Sequence, residues 1–230
     1  VPEFSRSMAS LNKFLGAGAT SLVYADENDH AVKIFKDDKT KHITSKEAAA
    51  IEVRNLDRLN TRIKELNKCS KDVRKMIPSK GEYELSDCRT ALRLPRVGEK
   101  PVFSSRHFSL LVDFLHTLHK AKLAHRDLRP ANLISYNGSL LPIDFGSLCE
   151  LGKASPYHGT ELYASDSVLD ELDKGNGDKV IVTASDDLIS LVRCARKLVN
   201  VDDDFQVALE QSANTQLFWS IALTGGSYVL

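Results

Sequence analysis

Two acids and an amide stand close together in the chain, in His125-Arg126-Asp127-Leu128-Arg129-Pro130-Ala131-Asn132 and in Ile143-Asp144-Phe145-Gly146. Asn132 follows Asp127 by five positions and Asp144 follows it by seventeen. Phosphoryl transfer needs a carboxylate beside the attacking hydroxyl and hard oxygen ligands for Mg²⁺. Asp127, Asn132 and Asp144 supply that set, with Asn132 and Asp144 as candidate metal ligands. Lys33 sits mid-strand in Ala31-Val32-Lys33-Ile34-Phe35, among apolar residues. An alternating strand would point a lysine at water; held by a carboxylate, it becomes a point cation for phosphates. Glu52 is the best partner, at the edge of an apolar helix face. Glu47 competes, but its place in the first turn suits capping. In Leu15-Gly16-Ala17-Gly18-Ala19-Thr20-Ser21, glycines allow a backbone to approach phosphate oxygens, although the same pattern also serves a plain turn. Ser21 takes the third glycine position, and the loop lies between strands rather than opening a helix, which disfavours a dinucleotide site.

Several elements must position these groups. Residues 11–23 read as a hairpin turning at Gly16–Ala19, and residues 31–35 as a further strand. Thr44 with Glu47 forms a capping box, followed by Ala48, Ile51, Leu56, Leu59, Ile63 and Leu66 at helical spacing. Residues 73–97 read as two strands, VRKMI and TALRLPRV, with Pro95 marking a strand end. A second helix starts after Pro101 and Ser104, with Phe108, Leu111, Val112, Leu115, Leu118 and Leu123 on one face. Residues 170–178 read as a surface loop. A third helix covers Asp187 to Val199, with Leu188, Leu191, Val192, Ala195 and Leu198 on one face. The first third is mostly β and the remainder mostly α.

The chain has 230 residues, with 31 basic and 31 acidic side chains and a formal charge of zero. That balance excludes a strongly basic nucleic-acid binder and an acidic disordered tail. Hydrophobic residues at 42% and charged residues at 27% place it among ordinary globular chains. Cys69, Cys88, Cys149 and Cys194 are far apart and include no C-x-x-C, so buried free thiols in a reducing compartment are expected. No apolar run reaches the roughly 18 residues of a membrane helix, and no signal peptide is visible. The expectation is an intracellular protein, cytoplasmic or nuclear, with no nucleic-acid partner and no membrane insertion.

Taken in order, the glycine-rich loop, the Ala31-Val32-Lys33 strand, the helix carboxylate, His125-Arg126-Asp127 and Asp144-Phe145-Gly146 resemble the eukaryotic protein kinase superfamily, from about Leu15 to Val199. The resemblance implies an α+β, bilobal protein-kinase-like fold. It would have a small β-rich N-lobe with one key helix and a mainly helical C-lobe truncated after its central helix. Residues 1–10 would be a tail, 11–97 the N-lobe and hinge, and 98–230 the shortened C-lobe. It also implies ATP and Mg²⁺ as cofactors. Leu15, Gly16, Gly18 and Ser21 would cover the phosphates, and Lys33, paired with Glu52, would contact the α- and β-phosphates. Val23 and Ala31 would line the adenine on one side and Leu133 on the other. Leu94 would be the gatekeeper, with Pro95, Arg96 and Val97 forming the hinge. Asp127 would orient the acceptor hydroxyl, and Asn132 and Asp144 would hold the metal. Asp187, or its neighbour Asp186, matches the buried acid that braces the His125-Arg126-Asp127 loop.

The chain departs from the family pattern in three places. Arg129 stands where the Ser/Thr kinases carry a lysine two positions after the aspartate. Gly159-Thr160-Glu161-Leu162-Tyr163 resembles the family's Gly-Thr-x-x-Tyr, but the Ala-Pro-Glu that should follow reads Ser165-Asp166-Ser167. The glutamate of that triplet pairs with a late arginine in the family, and few residues follow the Asp187 helix here. Phe218 and Trp219 would cap the shortened lobe. The Arg129-Pro130 and Tyr163-Ala164-Ser165 wording is similar to effector-type kinases such as the Crinkler proteins, which would place the protein inside a host cell. The resemblance implies phosphoryl transfer to a protein Ser/Thr hydroxyl, autophosphorylation included. Ser155, Tyr157 and Thr160 are candidate phosphate acceptors near Arg126, and the regulatory partner is unknown. Alternatives are a small-molecule kinase on the related fold and a nucleotide-binding pseudokinase.

Overall fold

A computed structural model describes residues 11–18, 20–38, 42–66 and 69–198. It has the mixed α+β composition expected from the sequence. The described residues up to 62, with 77–99, form one compact unit, and those of 63–76 and from 100 onward form a second.

The first unit carries a five-stranded antiparallel sheet in the order β1-β2-β3-β5-β4. Its strands are β1 (Lys13–Ala17), β2 (Ser21–Ala25), β3 (Ala31–Phe35), β4 (Glu84–Leu85) and β5 (Ala91–Leu94). The register between β1 and β2 shifts between Phe14 and Gly16, so Leu15 is bulged. Asp26 sets the next turn. Its buried carboxylate accepts the N–H groups of Asn28 and His30, both at 2.9 Å. Burial alone would raise the Asp26 pKa, but these two bonds and the His30 ring bring it below the ordinary carboxylate value. The register that follows sets Lys33 opposite Val23 on one side and Leu92 on the other.

Helix α1 (Ser45–Glu65) opens on the expected capping box. Thr44 donates to Glu47 through N and Oγ1, each at 2.8 Å, and Glu47 N donates back to Thr44 Oγ1. Its buried stripe is Ala49, Glu52, Leu56, Leu59 and Ile63, at alternating spacings of three and four. The inward position next to Ala49 is therefore Glu52, not the expected Ile51, which is half-buried.

The expected strand VRKMI is helical instead: α2 runs Lys71–Met76. Val73 N donates to Ser70 Oγ at 3.2 Å, Asp72 lies in the first turn and Arg74 and Lys75 in the last. Val73 and Met76, three apart, are both buried. Capping and end charges decide a run this short, because five residues cannot separate a period of two from one of 3.6.

The second unit is built on α3 (Ser105–Lys120) and α5 (Ala184–Leu198), with α4 (Asp166–Asp173) between them in sequence. Ser104 caps α3, and Phe108, Leu111, Phe114, Leu115 and Leu118 are buried on it. Leu123 is not on that helix. The chain turns at Lys122, with φ of 60°, and Leu123 enters β6 (Leu123–Ala124), which pairs with β9 (Cys149–Glu150). Strands β7 (Leu133–Tyr136) and β8 (Ser139–Pro142) form a hairpin through Asn137 and Gly138, both at positive φ, as a two-residue primed turn requires. Strands β10 (Ala154–Ser155) and β11 (Val180–Ile181) also pair.

The expected loop over 170–178 is helical in its first half, because Ser165 caps α4 by accepting from Val168 N. Helix α5 starts three residues before the expected Asp187. Val199, Phe218 and Trp219 lie outside the described residues. All four cysteines are thiols; Cys149 and Cys194 are buried, but Cys88 is exposed. Among the described residues no helix is long and apolar enough to cross a membrane.

Candidate active site

In the first unit Lys33 Nζ donates to Glu52 Oε2 at 2.7 Å, and both residues are buried, at 6% and 1% exposure. Glu47 is occupied by Thr44 at the helix start. The lysine also lies 5.2 Å from the centre of the Phe35 ring. A buried pair of this kind is costly to assemble and more costly to break. Gly16 lies on β1, and Gly18 N donates to Ser21 O at 2.8 Å, closing the turn. A Cβ added at Gly16 would meet no atom of the described residues within 4 Å. Ser21 and Val23 lie on β2 and Ala31 on β3, opposite Leu94. Arg96 and Val97 follow the end of β5 and are half-buried.

In the second unit the β7–β8 hairpin positions the metal candidates. Asn132 directly precedes β7 and Asp144 follows β8. Leu133 pairs with Pro142, and Ile143 N donates to Asn132 O at 2.9 Å. Both residues are therefore carried at the same open end of one hairpin. Asn132 Nδ2 donates to Asp127 Oδ2 at 2.7 Å and to Asp127 O at 2.8 Å. Asp127 Oδ1 accepts from Thr160 N at 2.9 Å, and Arg129 Nε lies 3.4 Å from Asp127 Oδ2. Leu133 is buried at the start of β7. Arg126 and Asp144 adopt φ of 67° and 63°. A non-glycine residue there costs about 1–3 kcal/mol, and such residues gather at functional sites.

Among the described residues no cluster of three or more His, Cys, Asp or Glu could hold a metal unaided. Mg²⁺ on a nucleotide needs less: one or two carboxylates, with phosphates and water completing the shell. The Asp144 carboxylate and the Asn132 amide oxygen fit that donor set.

The supporting shell is extensive. Asp187 is fully buried and accepts from His125 N and Arg126 N, each at 2.8 Å, and from His119 Nε2 at 3.0 Å. Burial pushes its pKa up; the hydrogen bond and charge of His119, with His125 and the Arg126 amide, more than offset this and leave it below the ordinary carboxylate value. Burial holds His125 below the usual imidazole value. Its ring packs against Phe145, with centroids 5.3 Å apart. Asp186 binds other groups, through Ser167 Oγ and through Thr183 N and Oγ1. Arg126 reaches Ser147 O at 2.6 Å, Pro156 O at 2.6 Å and Ser155 Oγ at 3.1 Å. Of the three candidate phosphate acceptors, Ser155 is the one whose hydroxyl contacts Arg126.

Sequence reasoning did not find His119 or the role of the Thr160 amide. Each acts through a contact distant in sequence, and no spacing rule marks it. The Asn137-Gly138 turn carried a local hairpin signal that could have located the hairpin end shared by Asn132 and Asp144.

No family model matches the chain. Among curated proteins, it is 31% identical over 143 residues to "Dual specificity protein kinase Ttk" of Danio rerio. It is 30% identical over 145 residues to "Probable serine/threonine-protein kinase mps1" of Dictyostelium discoideum. Each alignment covers 58% of this chain and 14% of the relative.

Proposed function

We propose that the chain is the catalytic part of a protein kinase, transferring the γ-phosphoryl group of ATP to a Ser or Thr hydroxyl with Mg²⁺. The observation that carries this reading is the Asp127–Asn132 pair. The amide donates to the carboxylate from the hairpin end that also bears Asp144. Lys33, held by Glu52, is assigned to the α- and β-phosphates. Gly16, where a Cβ would meet no atom of the described residues within 4 Å, leaves room for a phosphate. Leu15, Gly18 and Ser21 complete that loop, and Val23, Ala31, Leu94, Arg96, Val97 and Leu133 are assigned to the adenine end. The two similar proteins are named as protein kinases, one dual-specificity and one serine/threonine, which favours a protein acceptor.

When bound, Mg²⁺ neutralises developing phosphate charge; Asp144 and Asn132 would hold it. Asp127 takes or orients the acceptor hydroxyl proton at Oδ1, the oxygen that Thr160 N now holds. Arg129 Nε lies 3.4 Å from Oδ2, the other oxygen of the same carboxylate. Such an enzyme works where ATP is abundant, inside a cell: its own, or a host's for an effector-type kinase.

Incubation with γ-labelled ATP, Mg²⁺, a generic protein acceptor and the chain itself tests this reading, with Asp144→Ala in parallel. Label on protein hydroxyls, lost in Asp144→Ala, is expected. Turnover with no label on protein would indicate a small-molecule acceptor. Nucleotide binding without turnover would indicate a pseudokinase. Either result overturns the proposal.

A further inference from the structure

Helix α5 grips five consecutive residues of the segment that touches the catalytic carboxylate. Tyr163 O accepts from Ser190 Oγ at 2.8 Å. Ala164 O accepts from Arg193 Nη1, and Ser165 Oγ donates to Asp186 Oδ1. Asp166 Oδ1 accepts from Arg193 Nη2 at 2.6 Å, and Ser167 Oγ donates to Asp186 Oδ1 at 2.8 Å. The other Asp186 oxygen accepts Thr183 N and Oγ1 at 2.7 and 2.8 Å, so this buried carboxylate meets four donors. Three residues before Tyr163, Thr160 N holds Asp127 Oδ1. Helix α5 therefore fixes two things. Asp187 fixes the backbone of His125 and Arg126, and Asp186 with Arg193 fixes residues 163–167.

The contacts are not equal in weight. The Asp166 side chain is 87% exposed, so its ion pair with Arg193 is screened and contributes little. The Arg193 contact to the Ala164 carbonyl and the Asp186 cluster are part-buried or buried, and a lost partner there leaves a desolvated group unmet. The glutamate that the kinase resemblance places at position 167 is a serine here. Anchorage falls instead to Asp186 and Arg193, both within α5.

We propose that Asp186 and Arg193 are positioning residues for the protein acceptor: by locking residues 163–167 onto α5 they keep Thr160 beside Asp127, where the acceptor hydroxyl must arrive. The inference rests on the kinase reading. It assigns these two residues to the acceptor and not to the nucleotide, so their loss separates the two substrates.

The test uses the full chain with Mg²⁺-ATP, following transfer to a protein acceptor and ATP hydrolysis to water side by side. Arg193→Met is expected to lower kcat/KM for the acceptor roughly ten- to hundred-fold, the range a small misplacement costs. KM for ATP and the hydrolysis rate stay within about twofold, and Arg193→Lys recovers part of the loss. Asp166→Asn, which removes only the exposed partner, changes the acceptor kinetics by less than about twofold. Amide exchange at 160–167 rises in Arg193→Met and stays unchanged in β1–β3. Unchanged acceptor kinetics in Arg193→Met, or a loss shared equally with hydrolysis, overturns the proposal. A wild-type chain with no turnover fails the kinase reading instead. Exchange then decides the clamp, which raised exchange at 160–167 supports and unchanged exchange overturns.

Discussion

Asn132 donates through Nδ2 to both Asp127 Oδ2 and Asp127 O, at 2.7 and 2.8 Å, and this double contact fixes which end of its amide faces the carboxylate. A flipped amide would set its oxygen against two acceptors. The oxygen is thereby left as the end offered to a hard cation. One residue both orients the proposed base and supplies a ligand, so the two tasks share a single rotamer.

Lys33 and Glu52 form a buried pair, and Lys33→Met takes the cation from it. The single variant should lose activity and also about 3–5 kcal/mol of stability, the cost of breaking a buried pair by removing one partner. Lys33→Met with Glu52→Leu should regain most of the stability and none of the transfer. Urea midpoints and transfer rates on both variants check this; a double variant that transfers phosphate would remove Lys33 from the chemistry.

Gly16 and Gly159 should respond differently to alanine. A Cβ at Gly159 would lie 2.3 Å from Arg126 O and 2.5 Å from the Tyr157 hydroxyl, and the backbone oxygen cannot give way. Gly159→Ala should displace Thr160 from Asp127 and cut turnover at least about tenfold. At Gly16 the protein leaves room, so Gly16→Ala should leave the melting temperature unchanged and raise KM for ATP. Equal ATP affinity in wild type and Gly16→Ala would show that no phosphate approaches there.

Hydropathy spacing and composition made part of this legible. The β1–β2 hairpin, α1 and α3 follow from residues whose apolar period is long enough to read. The chemical words at 125–132 and 143–146 could be read without any structure. Glu52 was legible as a partner but not as part of the buried stripe, because an acid lowers the apolar signal of the very face it joins. Residues 71–76 were misread since capping by Ser70 outweighs a five-residue pattern. The anchors Asp186 and Arg193 were invisible as such: their partners lie 19 to 29 positions away, and only the folded α5 brings them together.

Asp187 predicts a stability profile. Its folded pKa is depressed, so its contribution is present above the unfolded value near 4 and is lost as pH falls through the folded value. Burial also keeps His125 neutral, which favours the fold above about pH 6.5 and opposes it below. Asp187→Asn should cost about 2–4 kcal/mol at neutral pH, since three donors lose a charged acceptor. The gap should narrow as pH drops below about 4. Urea midpoints that differ by the same amount from pH 3 to 7 would contradict this.

Cys88 should be the reactive thiol. Hydrogen bonds from Ser86 and Thr90 lower its pKa to about 7, and it is exposed, whereas burial raises Cys194 to about 12. Iodoacetamide should label Cys88 first, with a rate that titrates near pH 7. Peptide mapping showing Cys194 labelled as fast would refute the assignment.

The most direct measurement is the rate of γ-phosphoryl transfer from saturating Mg²⁺-ATP to protein hydroxyls, compared between wild type and Asp144→Asn at matched thermal stability. Asp144 is half-buried at the hairpin end, and the isosteric amide keeps its volume while removing its charge. The expected result is robust transfer by wild type and a loss of about a hundred- to a thousandfold in the variant, as for removal of a group that stabilises transition-state charge. Equal rates in the two proteins, or a folded wild type that transfers nothing, would contradict the assignment of Asp144 and Asn132 as the metal site of a protein kinase.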